Sequence, residues 1–141
     1  MDMNTNTAAD PAPHPVIALV DDDPGVRRSV QLLLRSRGYD VRSYASSAAM
    51  LADAQVLDAA CLVTDYLMPE IDGIAVLDAL RERGWNGPAI LVSAYYSPRL
   101  IEQAKRQGFA SVLEKPLREH LLSETVSRLI GKGEKAAVSL P

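Results

Sequence analysis

The sequence predicts a doubly wound α/β domain, a parallel sheet with helices packed on both faces. Three observations lead there. Short apolar runs alternate with stretches of helical periodicity along most of the chain. Several of those runs are continuous rather than alternating, as strands covered on both faces require. Five runs pair with five helical segments, the repeated strand–helix pattern of a parallel sheet with crossovers.

The first expected strand is Val16–Val20, followed by a helix in which Val26, Val30, Leu33 and Leu34 share one face and Gly38 supplies a stop. Tyr39–Tyr44 is a more polar run, carrying Asp40, Arg42 and Ser43, which suits an edge strand. Ser46 or Ser47 caps a segment with Met50 and Leu51. Cys61–Thr64 is a third strand, and Ile74, Leu77 and Leu80 form a helical stripe that ends near Gly84. Ala89–Val92 is the fourth strand. Ser97 and Pro98 then give a cap and a first-turn proline for a helix reaching Gly108. Phe109–Leu113 is the fifth strand, and Leu117, Leu121, Val126, Leu129 and Ile130 mark the last helix. Residues 1–15 read as a disordered arm, 16–130 as one domain and 131–141 as a flexible tail.

Composition narrows the function classes. A chain of 141 residues suits one core, and a net charge of −3 offers no basic field for nucleic acid or an anionic membrane. The lone Cys61 rules out an internal disulfide and reads as a buried small side chain; His14, between two prolines, is no metal candidate. No signal peptide or bilayer-spanning run is present, so a cytoplasmic protein is expected.

Ligands of such folds bind beyond the carboxyl ends of the strands. Here those ends carry Asp21-Asp22-Asp23, Asp65, Ser93, and Glu114-Lys115-Pro116. Carboxylates gathered this closely need protons or a cation, and Mg²⁺ suits them because it also binds phosphate oxygens. Lys115 adds positive charge and Ser93 a hydroxyl donor. That set is the logic of phosphoryl transfer: Asp65 as nucleophile, Asp21 and Asp22 as metal ligands.

The segments IALVDDD, LVTDYLMPEIDG, ILVSA and LEKP resemble, in order and spacing, the signature segments of response-regulator receiver domains. The resemblance covers about Val16 to Ile130. It implies a flavodoxin-like (βα)5 sheet in strand order 2-1-3-4-5, with Asp65 as the phosphorylated residue. Asp21 and Asp22 become the acidic metal pair, Asp22 the more direct Mg²⁺ ligand, with Asp65 and the backbone carbonyl of Leu67 completing the protein's share. Ser93 is the switch hydroxyl and Lys115 the active-site lysine. Gly73 is expected to permit a turn after Met68-Pro69 and Asp72. The resemblance further implies a histidine kinase or histidine phosphotransfer protein as phosphodonor, and self-catalysed phosphorylation and dephosphorylation rather than turnover. The fourth helix and fifth strand are the implied face for a downstream protein or a homodimer.

Three departures from the family pattern stand out. Val112 occupies the position, three residues before the lysine, where many receivers carry an aromatic ring, so signalling falls to backbone shifts or to other side chains, with Tyr95 and Tyr96 as candidates. Leu67 and Tyr95 lie two residues beyond Asp65 and Ser93, where their bulk is expected to slow water attack on the acyl phosphate. No output domain is recognisable, which favours output by protein contact, as in single-domain receivers. The rival readings are a haloacid-dehalogenase-type phosphatase using Asp21 and Asp23, a flavodoxin-like cofactor binder, and a receiver-like scaffold that is not phosphorylated.

Overall fold

In the computed structural model, residues 14–131 are described. The segments expected to be an arm and a tail therefore lie almost wholly outside the described residues. Five strands run β1 (Val16–Val20), β2 (Asp40–Tyr44), β3 (Cys61–Asp65), β4 (Ala89–Ser93) and β5 (Ser111–Glu114). Five helices follow them in turn: α1 (Pro24–Ser36), α2 (Ser47–Ala52), α3 (Gly73–Glu82), α4 (Pro98–Arg106) and α5 (Glu119–Ile130). A short 3-10 turn, Ala54–Asp58, follows α2.

All pairings are parallel and the sheet order is β2-β1-β3-β4-β5, as expected. The three central strands are the three continuous apolar runs, and the polar run is the β2 edge. Two-residue alternation divides the core cleanly. Ile17, Leu19, Cys61, Val63, Ile90 and Val92 point to the face covered by Val30 and Leu34 of α1 and Leu122 and Val126 of α5. Ala18, Val20, Leu62, Ala89 and Leu91 point to the face covered by Met50 of α2, Leu77 and Leu80 of α3 and Leu100 of α4. Leu62 and Leu77 are fully buried, and truncating either to alanine costs roughly 2–5 kcal/mol by loss of burial and cavity formation.

Three helices end by one device, a left-handed glycine followed by a buried aromatic. Gly38, Gly84 and Gly108 have φ of 94°, 92° and 107°. The amides of Tyr39, Trp85 and Phe109 then bond back to the carbonyls of Leu34, Leu80 and Ala104 at 3.2, 3.0 and 2.9 Å. This is the glycine-terminated helix stop in which the residue after glycine satisfies an orphan carbonyl. It also corrects two strand boundaries. Tyr39 and Phe109, read from the sequence as strand residues, belong to helix ends, so β2 starts at Asp40 and β5 at Ser111. At the other ends, β3 and β4 each extend one residue further, to Asp65 and Ser93.

Capping fixes where the helices start. Ser46 caps α2 through Ala49 N, and Ser97 caps α4 through Leu100 N, both at 3.1 Å. Asp72 caps α3 through Ala75 N at 2.9 Å. Pro15, at the end of the expected arm, accepts the amide of Asp40 at 2.9 Å and so joins the β2 edge.

Candidate phosphoacceptor site

Sheet register brings the site together. Val20 lies opposite Thr64, so the next residue of each chain, Asp21 and Asp65, meet at the point where strand order reverses between β1 and β3. Asp65 lies opposite Val92, and Ser93 opposite Glu114, which puts Ser93 and Lys115 at the same sheet end. The amide of Lys115 donates to the Ser93 carbonyl at 2.9 Å, and the Lys115–Pro116 peptide is cis.

Asp21 and Asp65 are buried at the sheet end, at 3% and 8% exposure. The Lys115 ammonium bridges them, 3.2 Å from Asp21 Oδ2 and 3.1 Å from Asp65 Oδ2. Burial raises the Asp65 carboxyl above its usual range, Asp21 and Asp22 add to that, and Lys115 opposes it. The Lys115 ammonium is itself pulled down by burial, but its hydrogen bond to Asp65 and the charges of Asp21 and Asp65 win, and its pKa lies above the ordinary value. The lysine is therefore a fixed positive charge against the nucleophile candidate.

Asp21, Asp22 and Asp65 each offer a carboxylate oxygen within 4.8 Å of the other two, a metal-sized cluster among the described residues. Opposed ligands of a six-coordinate Mg²⁺ at ~2.1 Å lie ~4.2 Å apart, close to this reach, and all-oxygen donors match a hard cation. The residues fit Mg²⁺. Asp21 already has both oxygens engaged, by Lys115 and by the Asp23 amide at 2.9 Å. Asp22 is exposed to solvent. Leu67 lies two residues past β3, with its side chain half exposed.

Ser93 is 1% exposed, and its Oγ accepts the Tyr95 amide at 2.8 Å. One lone pair is taken, and the hydroxyl proton is left to donate. Val112 is buried, while Tyr95 and Tyr96 are exposed at 65% and 43%. Tyr96 and Val112 line one open groove of ~620 Å³ together with Glu114, Lys115, Arg118 and Leu121.

Three positions read differently in three dimensions. Asp23 had no task in the receiver reading and was the acid/base of the phosphatase rival. Its carboxylate caps α1 through Oδ1, accepting from Gly25 N at 2.8 Å and Val26 N at 3.3 Å, which gives it a structural task. Gly73 is not the left-handed residue of its loop; Glu70 is, at φ 77°. Gly73 is needed for close approach instead, since a Cβ there would overlap the Asp65 carbonyl oxygen and come within 2.9 Å of Leu91 Cδ1. Arg27 was missed: its guanidinium donates to the Asp21 carbonyl at 2.8 Å and braces the acidic loop. Its position one turn into α1, behind the Asp23 cap, is a visible sequence signal for such a brace.

Comparison with known proteins agrees with this geometry. Residues 17–127 match the family model of the response regulator receiver domain. The chain is 34% identical over 116 residues to the transcriptional regulatory protein FixJ of Azorhizobium caulinodans, covering 82% of this chain and 55% of FixJ. It thus spans about half the length of the curated relatives it matches. The receiver domain of Francisella response regulator 1452 superposes with a TM-score of 0.77 at 26% identity, over 82% of this chain and 96% of that one. The chemotaxis protein CheY4 of Vibrio cholerae gives 0.76 at 26% identity, over 82% and 98%. Sheet order, register and family match converge, and the chain belongs to the response regulator receiver domains of two-component signalling.

Proposed function

We propose that Asp65 accepts a phosphoryl group from a histidine kinase or histidine phosphotransfer protein in a Mg²⁺-dependent reaction. The observation that carries this is the Lys115 ammonium held within 3.2 Å of both Asp21 and Asp65, beside the three-carboxylate cluster. An Asp65 oxygen attacks phosphorus as the bond from phosphorus to the donor's imidazole nitrogen breaks, leaving an acyl phosphate and a free histidine. Lys115 and the Ser93 hydroxyl are placed to stabilise charge on the transferred oxygens. Asp21, Asp22, Asp65 and the Leu67 carbonyl would hold the metal, which neutralises charge on the phosphoryl oxygens when bound. The domain hydrolyses its own acyl phosphate later, so it acts as a switch and not as a turnover enzyme.

The output is a change in protein contact at the face of α4 and β5, where a downstream protein or a second copy of this chain binds. The net charge of −3 supports a protein rather than a nucleic acid as this domain's partner. Among the described residues no helix is long and apolar enough to cross a membrane, and the proposed setting is the cytoplasm.

The test is incubation with Mg²⁺ and acetyl phosphate followed by peptide mapping of the modified residue. Label on Asp65 is expected. Label on Asp21 with rapid turnover of phosphomonoesters would overturn the reading in favour of a phosphatase, and no label at all would leave a scaffold.

A further inference from the structure

The loop between β4 and α4 is tied to the site by one side-chain bond, and it carries the largest exposed aromatic surface near the site. Ser93 Oγ, almost fully buried, accepts the amide of Tyr95 at 2.8 Å. The next residue, Tyr96, lines an open groove together with Val112, Leu113, Lys115 and Leu121. Tyr96 and Leu121 remain 43% and 42% exposed, although a ~620 Å³ space adjoins both. Val112, one of the lining residues, has a short branched side chain where a ring would take up more of that space. The groove is lined by apolar Val112, Leu113, Pro116 and Leu121 and by charged Glu114, Lys115 and Arg118. That mixture suits a tyrosine with its apolar ring and polar tip, and a whole aromatic side chain entering it would bury up to roughly 150–250 Å². What holds the backbone back is the bond from the Tyr95 amide to Ser93.

We propose that Tyr96 is the moving aromatic element of this domain: when Asp65 is loaded, Ser93 turns its hydroxyl to the new anionic group, releases the Tyr95 amide, and the Tyr96 ring settles into the groove over Val112. The proposal rests on Asp65 being the phosphoacceptor. Lys115 belongs to both places, since its ammonium reaches Asp65 and the residue also lines the groove. A ring seated there changes the surface formed by the β4–α4 loop, β5 and the start of α5 without a side-chain rotation inside β5.

The full chain with valine-methyl and tyrosine-ring labels, with and without beryllofluoride and Mg²⁺, tests this by solution NMR. The Tyr96→Phe variant assigns the Tyr96 ring signals, and intact mass after acetyl phosphate treatment reports independently whether the acceptor loads. Expected on loading are close contacts between the Tyr96 ring and the Val112 methyls, and amide exchange at Tyr95 faster by about tenfold or more as its bond opens. In Val112→Phe, which fills the groove, loading is expected to match the parent while the ring stays outside. A loaded protein with Tyr96 still exposed overturns the inference, as does entry of the ring unaffected by Val112→Phe. Failure to load at all overturns the phosphoacceptor reading, and this inference falls with it.

Discussion

Gly73 shows how a single missing Cβ shapes this site. The backbone of α3 approaches the Asp65 carbonyl so closely that any side chain at 73 would overlap it, and the Gly73 amide also donates to the Tyr66 carbonyl at 2.8 Å. Gly73→Ala is expected to cost about 1–3 kcal/mol, as overpacking does, and to slow phosphorylation because the displaced atom belongs to the nucleophile's own residue. Urea unfolding and the rate of acetyl phosphate labelling check the two halves. Asp23 makes the opposite point. Its capping bonds predict that Asp23→Ala loses about 1 kcal/mol of stability while Asp65 still takes up phosphate. A loss of labelling comparable to that of an Asp65 variant would show that its carboxylate does more than cap. Leu67 and Tyr95, both exposed and each two residues beyond Asp65 or Ser93, are expected to shield the acyl phosphate from water. Replacing both with small polar residues should shorten the phosphorylated lifetime; an unchanged lifetime would rule the shielding out.

At the scale of elements, β3 links the core to the chemistry. It begins at the fully buried Cys61 and ends at Asp65. Burial pushes the Cys61 thiol up from 9.0 to about 12. A group whose folded pKa is raised stabilises the fold fully below its unfolded value and loses that contribution as pH rises through the folded value. Stability should therefore fall between about pH 9 and about pH 12. Tyr44, raised to about 12 by burial and then by its 2.7 Å bond to Asp53, acts in the same direction from about pH 10 upward. Urea midpoints measured across this window should drop with pH, and Cys61→Ala should flatten the first part of the decline while lowering neutral stability. Asp53 shows the complementary sign. Tyr44 and the Gln55 amide hold its carboxyl below the usual range, so its contribution is present above that range and lost in acid. Helix faces and the split between buried strands and a polar edge were legible because apolar periodicity follows burial, whereas the strand order came from the family resemblance. The ends of β2 and β5 were not, since a buried aromatic closing a helix has the same hydropathy as a strand residue. Tyr39 and Phe109 differ from strand residues only in that a left-handed glycine precedes them.

Over the whole molecule, the sheet turns distant residues into neighbours. Asp21, Asp65, Ser93 and Lys115 were readable as a set because each follows an apolar run, and a parallel sheet gathers the ends of such runs on one side. Their contacts needed the geometry: the lysine bridging two carboxylates and the hydroxyl accepting an amide. The Gly73 approach depends on a contact between the start of α3 and the end of β3, which leaves no trace in periodicity. Because the proposed metal ligands come from the ends of β1 and β3, Mg²⁺ binding should stabilise the fold as a unit. At a hundredfold excess over the dissociation constant that gain is about 2.7 kcal/mol, removed by a chelator and lost in Asp22→Ala.

The central claim is that buried Asp65, held by Lys115 and served by the acidic pair, is the Mg²⁺-dependent phosphoacceptor. Its most direct test is an intact-mass time course of the full chain with acetyl phosphate, run with Mg²⁺, with a chelator, and on Asp65→Asn. One phosphoryl group is expected to be added in the presence of Mg²⁺, none with chelator, and none in Asp65→Asn. Equal labelling of the parent and Asp65→Asn would contradict it.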